Sequence, residues 1–451
     1  MSGVTPRPRP LNLVQGKTAQ TVGLPKERLG VPFLLLLVWI WFEYARPSNP
    51  MGIPLVISAT LAIGWLMSKD RRWSRQSALL CAFLGIMAVG IPTATNTFSA
   101  FWSLYGMATV LLCIALPLPS VVTSVRKVRI VIMTFVVVTF YVGAWAIFNG
   151  GFGPSGAAGG QDENYVAAMM GMSIAFAYFT IFATKRWIVK LLCVVSILVS
   201  LGAVISANNV SRGGFLGICA ALLYCLARSP RKWIGVIVLA AVALGAFSFA
   251  PPAYWDEISS ISDTTEGTAD MRLEIWSIGI RMWRANPVFG VGGGNFRWLV
   301  GTYQSAEQLD KYGRDLGGSI IPHSLWVELL AELGTAGALV VLLLLWYTVR
   351  NLWYVVRSQI AVLRSHRTVR NRAAERDALA LRCSADGTMG AIIACCVNGI
   401  FLSLLYYSYL WIFIMLGSAI WFVARAHTPA EAPASPAGQL ALPSSDQGEK
   451  R

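Results

Sequence analysis

The stretch VIMTFVVVTFYVGAWAIF, residues 131–148, contains no charged side chain. Wound as a helix at 1.5 Å per residue it extends about 27 Å, close to the roughly 30 Å of a bilayer's hydrocarbon core. A second run, WIGVIVLAAVALGAFSFA at residues 233–250, is equally free of charge. No water is available in lipid to satisfy backbone amides, so such runs are read as helices that bond internally. Working outward from these two, apolar runs predict spans at 31–45, 51–68, 77–93, 99–117, 129–148, 164–184, 188–206, 213–227, 233–250, 322–349, 386–405 and 407–425. Composition agrees, because 55% of the 451 residues are hydrophobic and only 13% are charged, against about a quarter charged in soluble domains. Buried core helices rarely recur in such numbers. The expected fold is all-α, a polytopic membrane protein with about 12 transmembrane helices, and a soluble globular enzyme is excluded.

Charge then orients the chain. The formal net charge is +15, but the basic residues concentrate in alternate loops, which marks membrane topology rather than a nucleic-acid surface. Lys69-Asp-Arg-Arg, Arg126-Lys-Val-Arg, Lys185-Arg186 and Arg231-Lys232 fall on one side, together with residues 350–382, which contain eight arginines and two acids. The opposite loops are neutral or acidic. The positive-inside rule places both termini in the cytoplasm and residues 251–321 outside, as one long periplasmic loop containing amphipathic helices. The expected organisation is a cytoplasmic segment at 1–30, spans one to nine over 31–250, the loop 251–321, spans ten to twelve over 322–425 with a basic cytoplasmic loop at 350–385, and a disordered tail at 426–451. The first run resembles the core of a signal peptide but lacks a small-residue cleavage site, so an uncleaved span is expected. All eight cysteines fall in spans or basic loops, and no disulfide framework is implied.

Polar residues at the outer ends of spans carry the candidate chemistry. His323, in Ile321-Pro-His-Ser-Leu-Trp, is the one histidine on the external side. Pro322 suits a first helical turn, which puts the imidazole at the mouth of the tenth span, where it can act as a general base. The plainer alternative is an interfacial histidine that caps or packs. Arg212 lies in Ser211-Arg-Gly-Gly at the outer end of spans seven and eight. Its guanidinium matches phosphate oxygens in a bidentate fork, whereas a snorkelling arginine is the bland reading. In residues 268–284, helical plotting gathers Glu274, Ser277, Arg281 and Arg284 on one face and sets Arg272 beside Trp276, Gly279 and Trp283 on the other. A charge on that apolar face needs a partner such as an anion. Asp162, Glu163 and Asn164 stand at the outer end of the sixth span as weaker candidates, open to sugar contact, metal contact or no ligand at all. Ser324, Glu328 and Glu332 form a stripe along the tenth span, for which pairing with an arginine is as good a reading as catalysis. No HExxH, Cys-x-x-Cys or P-loop is present, and neither a metal site nor a cofactor is expected.

From about residue 164 to 345 the chain resembles the superfamily of O-antigen ligases and polymerases, which are bacterial envelope glycosyltransferases. The resemblance rests on Ser211-Arg-Gly-Gly, on Arg272-Leu-Glu-Ile-Trp followed by Asn286-Pro-Val-Phe-Gly-Val-Gly-Gly-Gly-Asn-Phe, and on His323-Ser-Leu-Trp-Val-Glu-Leu-Leu-Ala-Glu-Leu-Gly. Members commonly read His-Asn-Ser where this chain has His-Ser-Leu. The resemblance implies a multi-pass protein of the inner membrane that takes a glycan from undecaprenyl diphosphate and transfers it, outside the membrane, to an acceptor hydroxyl. Arg212 and Arg272 would hold the diphosphate, His323 would deprotonate the acceptor, and Ser211, Asp162, Glu163 and Asn164 would contribute to substrate binding. Lipid A–core as acceptor would make the enzyme a ligase, the leading expectation. A lipid-linked repeat unit would make it a polymerase, and a protein hydroxyl an oligosaccharyltransferase. The glycine run 292–294 would permit the external loop to close over the substrates. A transporter or flippase is the competing class, but those proteins concentrate charge near the bilayer midplane.

Overall fold

The structure, a computed structural model, describes residues 29–45, 52–155, 157, 160, 162–205, 211–233, 235–237, 240, 244, 267–312, 320–365 and 372–427. Among these residues every regular element is helical: α1 Val31–Tyr44, α2 Ile53–Met67, α3 Arg75–Val89, α4 Thr97–Val121, α5 Val125–Phe148, α6 Glu163–Ala183, α7 Trp187–Ile205, α8 Arg212–Arg228, α9 Gly267–Ala285, α10 Phe296–Tyr303, α11 Ala306–Tyr312, α12 Leu325–Ser365, α13 Arg372–Asn398 and α14 Ser408–His427. Seven of them (α4 to α7 and α12 to α14) are long and apolar enough to cross a membrane. Four more apolar helices, α1, α2, α3 and α8, are shorter, and α1 with 14 residues falls below the 17 to 25 or so that a perpendicular crossing needs. The ninth expected span, 233–250, lies mostly outside the described residues, as do the segments 1–28 and 428–451.

Burial orders the helices. In α6, α13 and α14, 78% of the most apolar window is buried, against 33% in α7. The first three form the centre of the bundle, where α13 packs against α6 and α14. Trp187, Ile188, Leu191 and Leu198 of α7 point outward, as lipid-facing side chains do. Two boundaries differ from the sequence reading. The stretch expected as a basic loop at 350–385 is helical up to Ser365 and again from Arg372, because the arginines sit on helices that project beyond the apolar windows. The eleventh span ends at Asn398 rather than 405, because the carbonyls of Gly399 and Leu402 both turn to accept from the Leu325 amide at 2.8 Å. Basic residues gather at one end, where Arg72 lies over the Phe422 ring, Arg75 over Tyr347 and Arg228 over Trp353. There Arg228 also pairs with the buried Asp386 at 3.1 Å.

The expected tenth span is broken. Gly334 adopts φ 61° and ψ −163° inside α12, so residues 325–333 form a separate half-helix. A break inside a membrane leaves amides and carbonyls without helical partners. The segment Asn286-Pro-Val-Phe-Gly-Val-Gly supplies them. The carbonyls of Ala331 and Glu332 accept from the amides of Val291 and Gly292 at 2.9 and 3.0 Å. On the other side, the amides of Thr335 and Ala336 donate to the carbonyls of Pro287 and Val288 at 2.8 and 3.0 Å. Gly334 is required twice, by its positive φ and because a Cβ there would strike the Val288 carbonyl. Gly334→Ala is therefore expected to cost at least about 1–2 kcal/mol and to lower the melting temperature measured by size exclusion of heated, detergent-purified protein. Gly85→Ala is the control, since nothing lies within 4 Å of its Cβ position and alanine favours helix. Equal melting of both variants and wild type would contradict the account of the break.

Candidate active site

The ends of the helices away from the basic cluster bring the sequence motifs together. Ser211 caps α8, its Oγ accepting from the Gly214 amide at 2.9 Å. A Cβ on Gly213 would lie 2.9 Å from the Cβ of Phe401, so glycine lets the start of α8 approach the 399–407 turn. Phe401 in turn packs beside Trp276 of α9, ring centroids 6.5 Å apart. Trp276 Nε1 donates to the Pro322 carbonyl at 3.0 Å. The motifs of Ser211, Arg272 and His323 thus converge through Phe401 and Trp276. Arg212 is the first residue of α8, and its side chain lies outside the described residues.

His323 occupies the turn before the half-helix with φ 46°, the one positive φ among described non-glycine residues. Such a conformation costs about 1–3 kcal/mol and tends to mark functional sites. Pro322 stands outside the helix rather than in its first turn, because Ser324 takes the cap position and its Oγ accepts from the Val327 amide at 3.4 Å. The half-buried imidazole shares its surroundings with two of the other residues singled out from sequence. Burial and then the positive Arg272 push its pKa below the ordinary value, while Asp162 opposes them. The neutral form, with a nitrogen free to accept a proton, therefore persists at neutral pH. Histidine NMR of the full-length protein should show one imidazole titrating below about 6.5. In Asp162→Asn that titration should move lower still, because the charge that favours the imidazolium is gone. Movement to higher pH would show that Asp162 does not face His323.

Arg272 is half-buried near the start of α9. Ile275, Ile278 and Met282 of that helix are buried, and a Cβ on Gly279 would meet Val327 of the half-helix. The face predicted to be polar is covered by α10 and α11. Arg281 Nε donates to the Tyr303 carbonyl at 2.6 Å, its guanidinium also donates to Gln308, and Lys311 pairs with Glu274 at 2.8 Å. Asp162 caps α6, its Oδ1 accepting from the amide and side chain of Asn164 at 2.7 and 3.0 Å. Glu163 is buried in the first turn of α6. Among the described residues no three His, Cys, Asp or Glu side chains gather as a metal ion would require.

The stripe of the half-helix is held mainly by hydrogen bonds, with the Arg297 charge near Glu332 as the arginine expected from sequence. Glu332 accepts from the amides of Gly294 at 2.7 Å and Phe296 at 2.9 Å, and from the Tyr406 hydroxyl. Burial, then the Glu332 charge, hold the Tyr406 phenol well above its usual pKa, so it remains a donor. Ser99 Oγ donates to the Gly294 carbonyl at 2.9 Å, and Asn295 exchanges hydrogen bonds with the backbone of Asn96 at 2.8 and 3.2 Å. The glycines expected to let the loop move are instead pinned against the bundle. Glu328 is buried, with 7% of its surface exposed, and its Oε2 has no hydrogen-bond partner among the described residues. It lines a cavity of about 520 Å³ between α4 and the half-helix, together with Phe98, Trp102, Trp298, Glu332 and Tyr406. The sequence pointed to the carboxylates but not to the aromatic residues of α4.

Fold and site together define a multi-pass helical membrane protein with an arginine–histidine site at one end of its bundle. Residues 201–342 match the family model described as O-antigen ligase, so this stretch of the chain is similar to that family. The matched stretch contains Ser211, Arg212, Arg272 and His323 along with the broken start of α12. No curated protein matches the chain significantly.

Proposed function

We propose that the protein transfers a glycan from undecaprenyl diphosphate to an acceptor hydroxyl on the periplasmic face of the inner membrane, and that lipid A–core is the acceptor. The observation that carries the reading is the strained His323 turn, its imidazole kept neutral beside Arg272. His323 accepts the proton of the acceptor hydroxyl as the oxygen attacks the anomeric carbon. The bond from that carbon to the diphosphate breaks on the opposite face, so the configuration inverts. Undecaprenyl diphosphate departs as an anion, which the guanidinium of Arg272, with Arg212, stabilises in the place a metal cation takes elsewhere. Asp162 tunes the base while capping α6, and Ser211 fixes the start of α8 so that Arg212 is presented there. The basic residues of the opposite end support an outward-facing site, by the positive-inside rule.

The test is a transfer assay with purified protein, lipid-linked glycan and three acceptors in parallel: lipid A–core, a second lipid-linked repeat unit, and a serine-rich peptide. Modified lipid A–core, formed undiminished in excess EDTA, is the expected product. A ladder of lipid-linked polymer would identify a polymerase instead, and loss of activity with EDTA rescued by manganese would overturn the arginine mechanism.

A further inference from the structure

The cavity beside Glu328 is a second compartment, distinct in chemistry from the arginine–histidine site it adjoins. Its 520 Å³ falls in the range of about 300–1,000 Å³ typical of small-ligand sites. Neither Arg272 nor His323 lines it, yet Ile321 and Pro322 do, so it ends at the residue preceding the proposed base. Two carboxyl side chains, Glu328 and Glu332, line it against the guanidinium of Arg297, a balance that disfavours a diphosphate and is wasteful for a prenyl chain. Glu332 is committed to the Gly294 and Phe296 amides and to Tyr406. Glu328 is committed only in part: its carboxyl accepts from the Leu405 backbone, while its buried Oε2 lacks a donor among the described residues. An unmet carboxyl oxygen in a membrane protein is costly and calls for a hydroxyl or amine from a ligand. Phe98 and Trp102 offer flat apolar faces beside it, both largely exposed, and Ser99 and Asn96 add small polar groups on the same wall.

We infer that this cavity binds a neutral sugar ring of the acceptor glycan, with Glu328 accepting from ring hydroxyls and Trp102 stacking on the ring's C–H face. The inference rests on the glycosyltransferase reading and adds to it a division of labour: cations hold the donor's diphosphate, and a carboxyl and aromatics hold the acceptor. His323 then stands where the two meet. Arg297 also lines the cavity beside the two carboxyl groups, so hydrogen bonding to Glu328 and stacking on Trp102, rather than net charge, select a hydroxyl-rich ring.

The experiment uses full-length protein in nanodiscs and two probes, delipidated core oligosaccharide and the free repeat-unit oligosaccharide, with binding followed by saturation-transfer NMR and calorimetry. Glu328→Gln preserves shape and Trp102→Ala alters a largely exposed side chain, so both should fold. One of the two saccharides should bind the wild type, and each variant should weaken it at least about tenfold. In transfer assays each variant should raise the acceptor KM by a similar factor and leave the donor KM unchanged. Binding of neither saccharide, equal binding by all three proteins, or displacement of the saccharide by undecaprenyl phosphate overturns the assignment. Wild-type protein that binds a saccharide but transfers no glycan refutes the glycosyltransferase reading while the cavity stands. Transfer with unchanged acceptor KM in both variants refutes the cavity alone.

Discussion

His323→Ala lowers glycan turnover by about 10²- to 10⁴-fold, the usual loss when a positioned base is removed, while binding of the lipid-diphosphate donor stays near wild type. The split follows from what the imidazole touches. In the proposed mechanism its free nitrogen acts on the acceptor proton in the transition state, and a neutral ring contributes little to an anion's ground-state binding. Burial of the ring and then the neighbouring Arg272 charge favour the neutral form, so the wild-type rate should hold down to mildly acidic pH and fall below it. The measurement is transfer by purified variant together with binding of a non-hydrolysable lipid-diphosphate analogue. Membrane level must match wild type, because the turn at φ 46° is itself part of the fold. Alanine tolerates that backbone no better than histidine does, so His323→Asn, which favours positive φ, separates the two effects. It should fold as well as wild type and remain inactive. Transfer by His323→Ala at the wild-type rate would make the histidine an interfacial residue only.

Arg272→Lys is expected to reduce transfer by about 10²-fold or more, comparable to the loss of one preorganised donor at a site of developing charge. Lysine retains the positive charge but not the planar fork that grips two phosphate oxygens. Donor affinity should fall along with turnover, which distinguishes this variant from His323→Ala. Arg212→Lys should behave alike, since the same role is assigned to it. The lysine also keeps a positive charge near His323, so the imidazole titration should barely move. A lysine variant with wild-type donor affinity would remove the diphosphate from the site of Arg272.

How much of this was legible in the sequence depended on what kind of pattern each feature leaves. The spans left long charge-free runs, and α1, α5, α6 and α7 begin and end within a few residues of expectation. The inward setting of Arg272 was legible because a 3.6-residue period separates it from Glu274, Ser277 and Arg281. The partners of that polar face were not, because α10 and α11 meet it through Tyr303 and Gln308, far along the chain. The break at Gly334 was hidden for a similar reason. Glycine is common in membrane helices, and only the carbonyls and amides of 287–292 make a broken helix tolerable there. Ser211 and Asp162 read as substrate contacts, whereas the structure uses both as helix caps, a role that short polar side chains fill at any span end. The Glu328 cavity depends on α4 and the half-helix meeting across more than 200 positions, which no local pattern records.

The competing transporter class fits the number of helices but does not require a strained histidine beside an arginine at one end of the bundle. The most direct test of the central claim supplies purified protein in proteoliposomes with undecaprenyl-diphosphate-linked glycan and lipid A–core, then follows both lipids by mass spectrometry. The account predicts one glycan added per core, one undecaprenyl diphosphate released for each, and an inverted anomeric centre at the new bond. Recovery of both substrates unchanged, or of intact donor moved to the opposite leaflet, would contradict it.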